Sequence, residues 1–236
     1  MPKRKKSHLQ RNIGITVVAI LIILATVVVA LQYSPRQMAT PVSSSGLPLT
    51  VGDIFTYNLT GSAVLGSSDV QIPTEFLQYN DTEYYQVTIT SINGTQVFLN
   101  DVWEFKNGTQ VTSPQIIDLS TGSNVDPTQF CYVYPANLSV SDPLYPDGNS
   151  GLIVNSTSTL RFGTSSRTTN YWSTEDEYVD TSDQTGNTLR SDFISVYFDK
   201  ETGILDKLTR IEFFTNPQIE LTINWQLESS NAWNVQ

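Results

Sequence analysis

From Leu49 to the C-terminus, apolar and polar residues alternate in short runs separated by turn-forming clusters. The clearest run lies near the end, where Ile219, Leu221, Ile223, Trp225 and Leu227 alternate with Glu220, Thr222, Asn224, Gln226 and Glu228. A period of two gives a strand one dry face and one wet face, as antiparallel sheets allow. "LTVGDIFTYNL" begins the pattern, with Phe55, Tyr57 and Leu59 on one face. From Tyr84 to Leu119, "YYQVTITSI", "QVFLNDVWEF" and "QVTSPQIIDL" are separated twice by Asn-Gly-Thr. Asn-Gly accepts the positive φ of tight hairpins, so this stretch predicts a three-strand antiparallel meander. No sustained helical period follows residue 48, although "PTEFLQYN" and "DPTQFCYVY" suit short helical turns. A faint echo links "LTVGDIFTY" (Leu49 to Tyr57) with "LSVSDPLYP" (Leu138 to Pro146), which raises the idea of two half-sheets of related plan. The expectation is one mainly β domain over 49–236, an antiparallel curved sheet forming a half-barrel or a sandwich.

The first 32 residues follow a different rule. Residues 1–12 carry Lys3, Arg4, Lys5, Lys6 and Arg11, and no charge follows until Arg36. Ile13 to Leu31 is an apolar run of 19 residues, about 28 Å as a helix, close to the thickness of a bilayer core. Lipid leaves backbone polar groups no other partner, so Val and Ile become helical there. The expected layout is a basic cytoplasmic tail (1–12), a transmembrane helix (13–32), a Pro/Ser/Gly linker (33–48) and an extracellular domain. A cleaved signal peptide would have a shorter apolar region. A pilin-like leader cut near Gly14 is the other reading. Against it, Ile13 stands where such leaders carry a charge, and Pro35, Pro41 and Pro48 interrupt any continuing stem.

Charge narrows the partners. Beyond residue 32 there remain eight basic residues against 23 acidic ones, a net of −15, which disfavours nucleic acid and anionic surfaces. Cys131 has no internal disulfide partner and reads as a small buried hydrophobe. Asn58, Asn80, Asn93, Asn107, Asn137 and Asn155 head N-glycosylation sequons, consistent with an exported surface.

Candidate chemistry is sparse. The one histidine, His8, precedes the apolar run, so the domain has no Ser-His-Asp or Cys-His nucleophile system and no His-based zinc site. No P-loop, Rossmann or GxSxG pattern occurs. In "YFDKETGIL", Asp199 and Glu201 stand close enough to suggest paired catalytic carboxylates. Yet "DKETG" between two alternating runs is what a hairpin requires, with Asp199 capping and Gly203 left-handed. It reads as a turn, and a carboxylate hydrolase ranks third among functions. The acidic stretch "TEDEYVDTSDQTGN" reads as a solvated loop, with Ca²⁺ binding through Glu175, Asp180 and Asp183 as its functional alternative. Trp103 and Trp225 lie in phase with apolar neighbours and read as core. Arg167, ahead of a polar-aromatic run, either pairs an acidic group on a neighbouring strand or holds a ligand's anionic head.

Four segments carry a resemblance: "VGDIFTY", Arg167 to Asn170, "YFDKETGIL" and the closing Asn231 to Trp233. Together they resemble a loose group of archaeal membrane-anchored extracytoplasmic β-proteins. The hairpin is more distantly similar to the sheets of lipoprotein-carrier-like half-barrels that cradle lipids. The resemblance implies no catalytic residue. The expected function is therefore non-enzymatic binding at the outer face of a membrane. A lipid or other hydrophobic ligand would rest on Phe55, Tyr57, Val87, Ile89, Leu221 and Trp225, with Arg167 as a polar contact. The alternative is a cell-surface or pilin-like structural subunit with a filled core and a surface protein partner. No resident cofactor is expected.

Overall fold

In a computed structural model, residues 48–123, 133–148, 151–162, 165–179 and 188–233 are described. The chain divides into two compact units, Met1–Pro41 and Val42–Gln236, and all described residues belong to the second. The expected membrane helix, the linker up to residue 47 and Cys131 lie outside the described residues. No helix among the described residues is long and apolar enough to cross a membrane.

The domain is mainly β, one open antiparallel sheet of nine strands with a single short helix among the described residues. β1 (Ile54–Leu65), β2 (Thr82–Asn93), β3 (Gln96–Phe105) and β4 (Gln110–Asp118) run outward from the centre to one edge. β5 (Ser156–Phe162), β6 (Ser165–Val179), β7 (Leu189–Asp199), β8 (Leu205–Thr215) and β9 (Gln218–Ser230) return from the opposite edge to the centre. β9 pairs with β1, so the first and last strands are the middle of the sheet. The expected meander is β2–β3–β4, and Gly94 (φ 62°) and Gly108 (φ 80°) make its two turns.

Register places the apolar set on one face. Leu59 opposes Trp225, Trp225 opposes Leu208, Leu208 opposes Val196, and Val196 opposes Trp172. On the other side, Tyr57 opposes Tyr85, Ile89 opposes Leu99, and Val97 opposes Ile117. The opposite face carries Thr56, Asn58, Thr60, Thr222, Asn224 and Gln226. Among the described residues no second sheet covers the apolar face; two chain connections do. The β1–β2 connection contains α1 (Thr74–Leu77), at the site of one expected helical turn, and lays Phe76 and Tyr79 over Gly61. The β4–β5 connection crosses from one edge strand to the other. Its Tyr134 ring rests on Phe198 (4.4 Å) and Trp172 (6.3 Å), and Val133, Leu138, Leu144 and Val154 are buried.

Two sequence expectations change here. "LTVGD" and "LSVSD" are copies of one turn rather than of half-sheets. Asp53 closes onto the Thr50 N–H (2.7 Å) as Asp142 closes onto the Ser139 N–H (2.7 Å), with positive φ at Gly52 and Ser141. Each then exchanges two backbone bonds with a neighbouring chain, Gly52 and Asp53 with Ile89, Ser141 and Asp142 with Val154. The first copy enters β1; the second lies inside the crossover. The acidic stretch after Thr174 begins as strand, not loop: β6 stays paired with β7 as far as Val179 and Leu189. Alternation therefore points Glu175 and Asp176 to opposite faces.

The crossover meets the β7–β8 turn at its tightest point. A Cβ on Gly203 (φ 78°) would lie 1.9 Å from the Tyr134 carbonyl oxygen, whereas Gly94 has nothing within 4 Å. Gly94→Ala is expected to lose only the left-handed penalty of about 1 kcal/mol, and Gly203→Ala about 3 kcal/mol or more. Urea unfolding of the two variants checks this; equal losses would mean the crossover does not press on the turn.

Candidate functional site

"DKETG" is a turn in three dimensions. Asp199 accepts from the Thr202 N–H (2.7 Å) and hydroxyl (2.8 Å), and the Gly203 N–H returns to the Asp199 carbonyl (2.8 Å). Arg167 reaches it from β6 with two bonds, Nε to Oδ2 at 2.6 Å and Nη2 to Oδ1 at 2.9 Å, and also contacts the exposed Glu201 (3.0 Å). Of the two sequence readings of Arg167, the structure places it in the acidic pair on a neighbouring strand. Hydrogen bonds to Asp199 hold its guanidinium more firmly charged than usual, against the pull of burial. Trp233 stacks under it at 4.5 Å and packs on Phe55 at 5.4 Å. Asn231 bonds the Ile54 N–H and the Gly52 carbonyl. The four segments that carry the resemblance thus meet at one end of the sheet. Behind them Asp206 is fully buried with neither carboxyl oxygen hydrogen-bonded. Burial first, then the charge of Asp199, raises its pKa well above the ordinary carboxyl range, while Arg167 opposes them.

At the opposite end, the face that carries the core also carries charge. Arg190 and Asp192 on β7 form a ring of ion pairs with Arg210 and Glu212 on β8, at 2.8 to 3.3 Å. Burial opposes ionisation of Asp192, but hydrogen bonds from Arg190 and Tyr178 and two guanidinium charges outweigh it and lower its pKa. Each charge in the ring has a partner, so it braces β7 against β8 without offering a free group.

The third cluster lies across β2, β3 and β4. Asp101 is in phase with Val97, Leu99 and Trp103, so its carboxyl enters the covered face, where it is 1 % exposed. Tyr85 donates to its Oδ2 (3.0 Å), and the Gln115 amide donates to the same oxygen. Asp101 Oδ1 and Gln115 Oε1 have no hydrogen-bond partner. Burial raises the Asp101 pKa to about 7, with the Tyr85 bond pulling the other way. Toward the β3–β4 turn the same face opens. Gln115 is buried, Ser113 half-buried and Val111 52 % exposed, while Trp103 and Phe105 are half-buried. Tyr79 and Phe105 flank the Trp103 ring at 5.7 and 4.8 Å.

Phe55, Tyr57, Val87, Ile89, Leu221 and Trp225 do share the covered face, and all are buried beneath the connections. Arg167 is not among them. Glu175 is an exposed strand residue, and Asp180 and Asp183 lie outside the described residues. Among the described residues no three His, Cys, Asp or Glu side chains group as a metal site. Asp101 and Gln115 were missed by the sequence reading; the available signal was a polar residue in core phase, opposite Val87 and Leu99 respectively. Compared with known proteins, the chain matches no family model and no curated sequence.

The sequons differ in what their amides do. Asn80 donates from Nδ2 to the Gly61 carbonyl (2.8 Å) and accepts the Gly61 N–H at Oδ1 (2.9 Å). That two-point contact uses the amide hydrogen beside Oδ1, the position a trans N-glycosidic bond takes. Glycopeptide mapping of the native protein is expected to find Asn80 bare whichever other sequons are modified. A glycan there would show that the clamp on β1 is not kept.

Two buried acids also set a pH dependence. Below the ordinary carboxyl pKa near 4 both folded and unfolded chains are protonated. From there to about 7 only the folded chain keeps the Asp101 proton. Stability therefore falls with rising pH through that window, by about 1.4 kcal/mol per unit for this group, and its contribution is level above it. Asp206 adds a decline of the same sign. Asp101→Asn is expected to remove one proton's share of the slope between pH 5 and 6.5, measured by urea melts across pH. An unchanged slope would mean Asp101 is ionised in the folded protein.

Proposed function

We propose that the protein is a membrane-anchored extracytoplasmic binding protein, its N-terminus cytoplasmic, whose curved sheet holds a lipid or other hydrophobic ligand on the apolar face. The observation that carries this is the cover. Among the described residues, two connections rather than a second sheet close the face; Tyr79 of the first reaches the Trp103 ring, but beyond it Phe105 stays half-buried and Val111 exposed. A connection can shift by exchanging apolar contacts for those of a ligand, without breaking the ladders of the sheet. The strands supply a rigid floor and the connections the adjustable wall. The acidic composition disfavours nucleic acid as the partner. Asp199 is paired with Arg167 and the carboxylates of the Arg190 ring are paired within it, which supports binding over carboxylate hydrolysis.

A second reading, a cell-surface or pilin-like subunit with a protein partner, is favoured by the deep burial of Phe55, Val87 and Trp225, which are already packed by the protein itself. The two separate by mass. Full-length protein extracted from its own membranes in mild detergent is expected to keep an intact N-terminus and a stoichiometric non-glycan adduct. Loss of Met1 to Gly14 with self-assembly and no adduct would overturn ligand binding and favour the subunit.

A further inference from the structure

We propose that Asp101 and Gln115 form a polar anchor for the head group of an otherwise apolar ligand, and that this head donates hydrogen bonds as an alcohol or amine. The inference rests on the ligand reading above and specifies its chemistry.

Three observations carry it. The two side chains stand on adjacent strands of the apolar face, held together by the Gln115 amide on Asp101 Oδ2. With Asp101 ionised, they present two acceptor oxygens, Asp101 Oδ1 and Gln115 Oε1, buried and without donors. An unsatisfied buried acceptor destabilises the fold that holds it, and these two share one place. Finally, the place has an approach. β4 is an edge strand, and its covered-face residues run from buried Gln115 through half-buried Ser113 to exposed Val111, beside Trp103. An apolar chain lying along Trp103 and Val111 would bring its head to the two oxygens. The polarity of the anchor selects among heads. A hydroxyl or ammonium group donates, whereas a carboxylate brings more acceptors against two acceptors in a dry site and is rejected. Asp206 offers orphan oxygens as well, but no opening leads along its strand, because Leu205 and Leu208 beside it are buried.

The test uses full-length protein in mild detergent at about pH 8, above the Asp101 pKa of about 7, offered an equimolar mixture of hexadecanol, hexadecylamine and hexadecanoate, with retained adducts counted by native mass spectrometry. Alcohol and amine are expected to exceed the acid by about tenfold or more, the worth of one charge-free hydrogen bond. Gln115→Met, which keeps bulk and removes one acceptor, is expected to reduce that preference about tenfold. Asp101→Asn, which keeps the oxygen that faces Tyr85 and puts an N–H donor in place of the free, charged one, is expected to lose the amine and to keep the alcohol, which can accept as well as donate. Equal retention of all three probes, unchanged in Gln115→Met, would overturn the anchor and leave the ligand reading standing. Retention of none would overturn both.

Discussion

The bidentate bond between Arg167 and Asp199 fixes more of this molecule than any other contact among the described residues. Asp199 is buried, and a carboxylate removed from water needs a hydrogen-bonded partner of opposite charge. Arg167 supplies it from β6, and Asp199 in turn holds Thr202 and so shapes the turn that ends at Gly203. That turn is the landing place of the crossover, through the Tyr134 N–H on the Gly203 carbonyl (2.8 Å) and the Asn137 N–H on the Lys200 carbonyl (2.6 Å). Trp233 is seated on the Arg167 guanidinium and on Phe55, which ties the end of β9 to the start of β1. One ion pair thus positions a hairpin, a covering segment and the seam at which the first and last strands meet.

The same logic explains why the cover is irregular. A nine-stranded sheet with one apolar face must bury that face, and the strand order leaves the chain to travel from β4 to β5 at the opposite edge. The connection has to cross the apolar face on the way, so topology and burial are satisfied by one segment. Among the described residues it is held by backbone bonds to turns and by isolated bridges such as Val133 with Ile204. A cover made this way shields the middle of the sheet well and its far corner less, where Phe105 is half-buried and Val111 exposed.

How much of this could be read in advance follows from contrast between faces. The strands β2, β3, β4 and β9 and the β7–β8 turn were legible because apolar and polar positions alternate sharply or Gly marks the turn. β5 ("STSTLRF") and the start of β6 were not, because Ser and Thr fill both faces and erase the period. The acidic end of β6 looked like loop for a related reason: both of its faces are exposed there, so no apolar phase remains. The turn at Asp199 was legible in full, while its arginine partner was one of two readings until the register placed Thr169 opposite Asp199. Asp101 stood in plain phase with Leu99 and Trp103, but a single acidic residue in an apolar stripe tells only that something must satisfy it. Its partners, Tyr85 and Gln115, come from two other strands and required the pairing to be known.

Asp101 and Asp206 then show how one residue type acquires two meanings from position. Each is a carboxyl that burial drives toward its neutral form. Asp206 sits behind an ion pair, where the charge of Asp199 adds to burial and a proton is the cheapest way to remain uncharged. Asp101 has a tyrosine and an amide already turned to one of its oxygens, so its site is polar before anything else arrives. Such a group is held closer to its titration point, near neutral pH, and responds to a hydrogen-bond donor as well as to a proton. The interior acid lies behind the Arg167–Asp199 pair; the acid beside the edge strand is the one to which the proposed ligand is assigned.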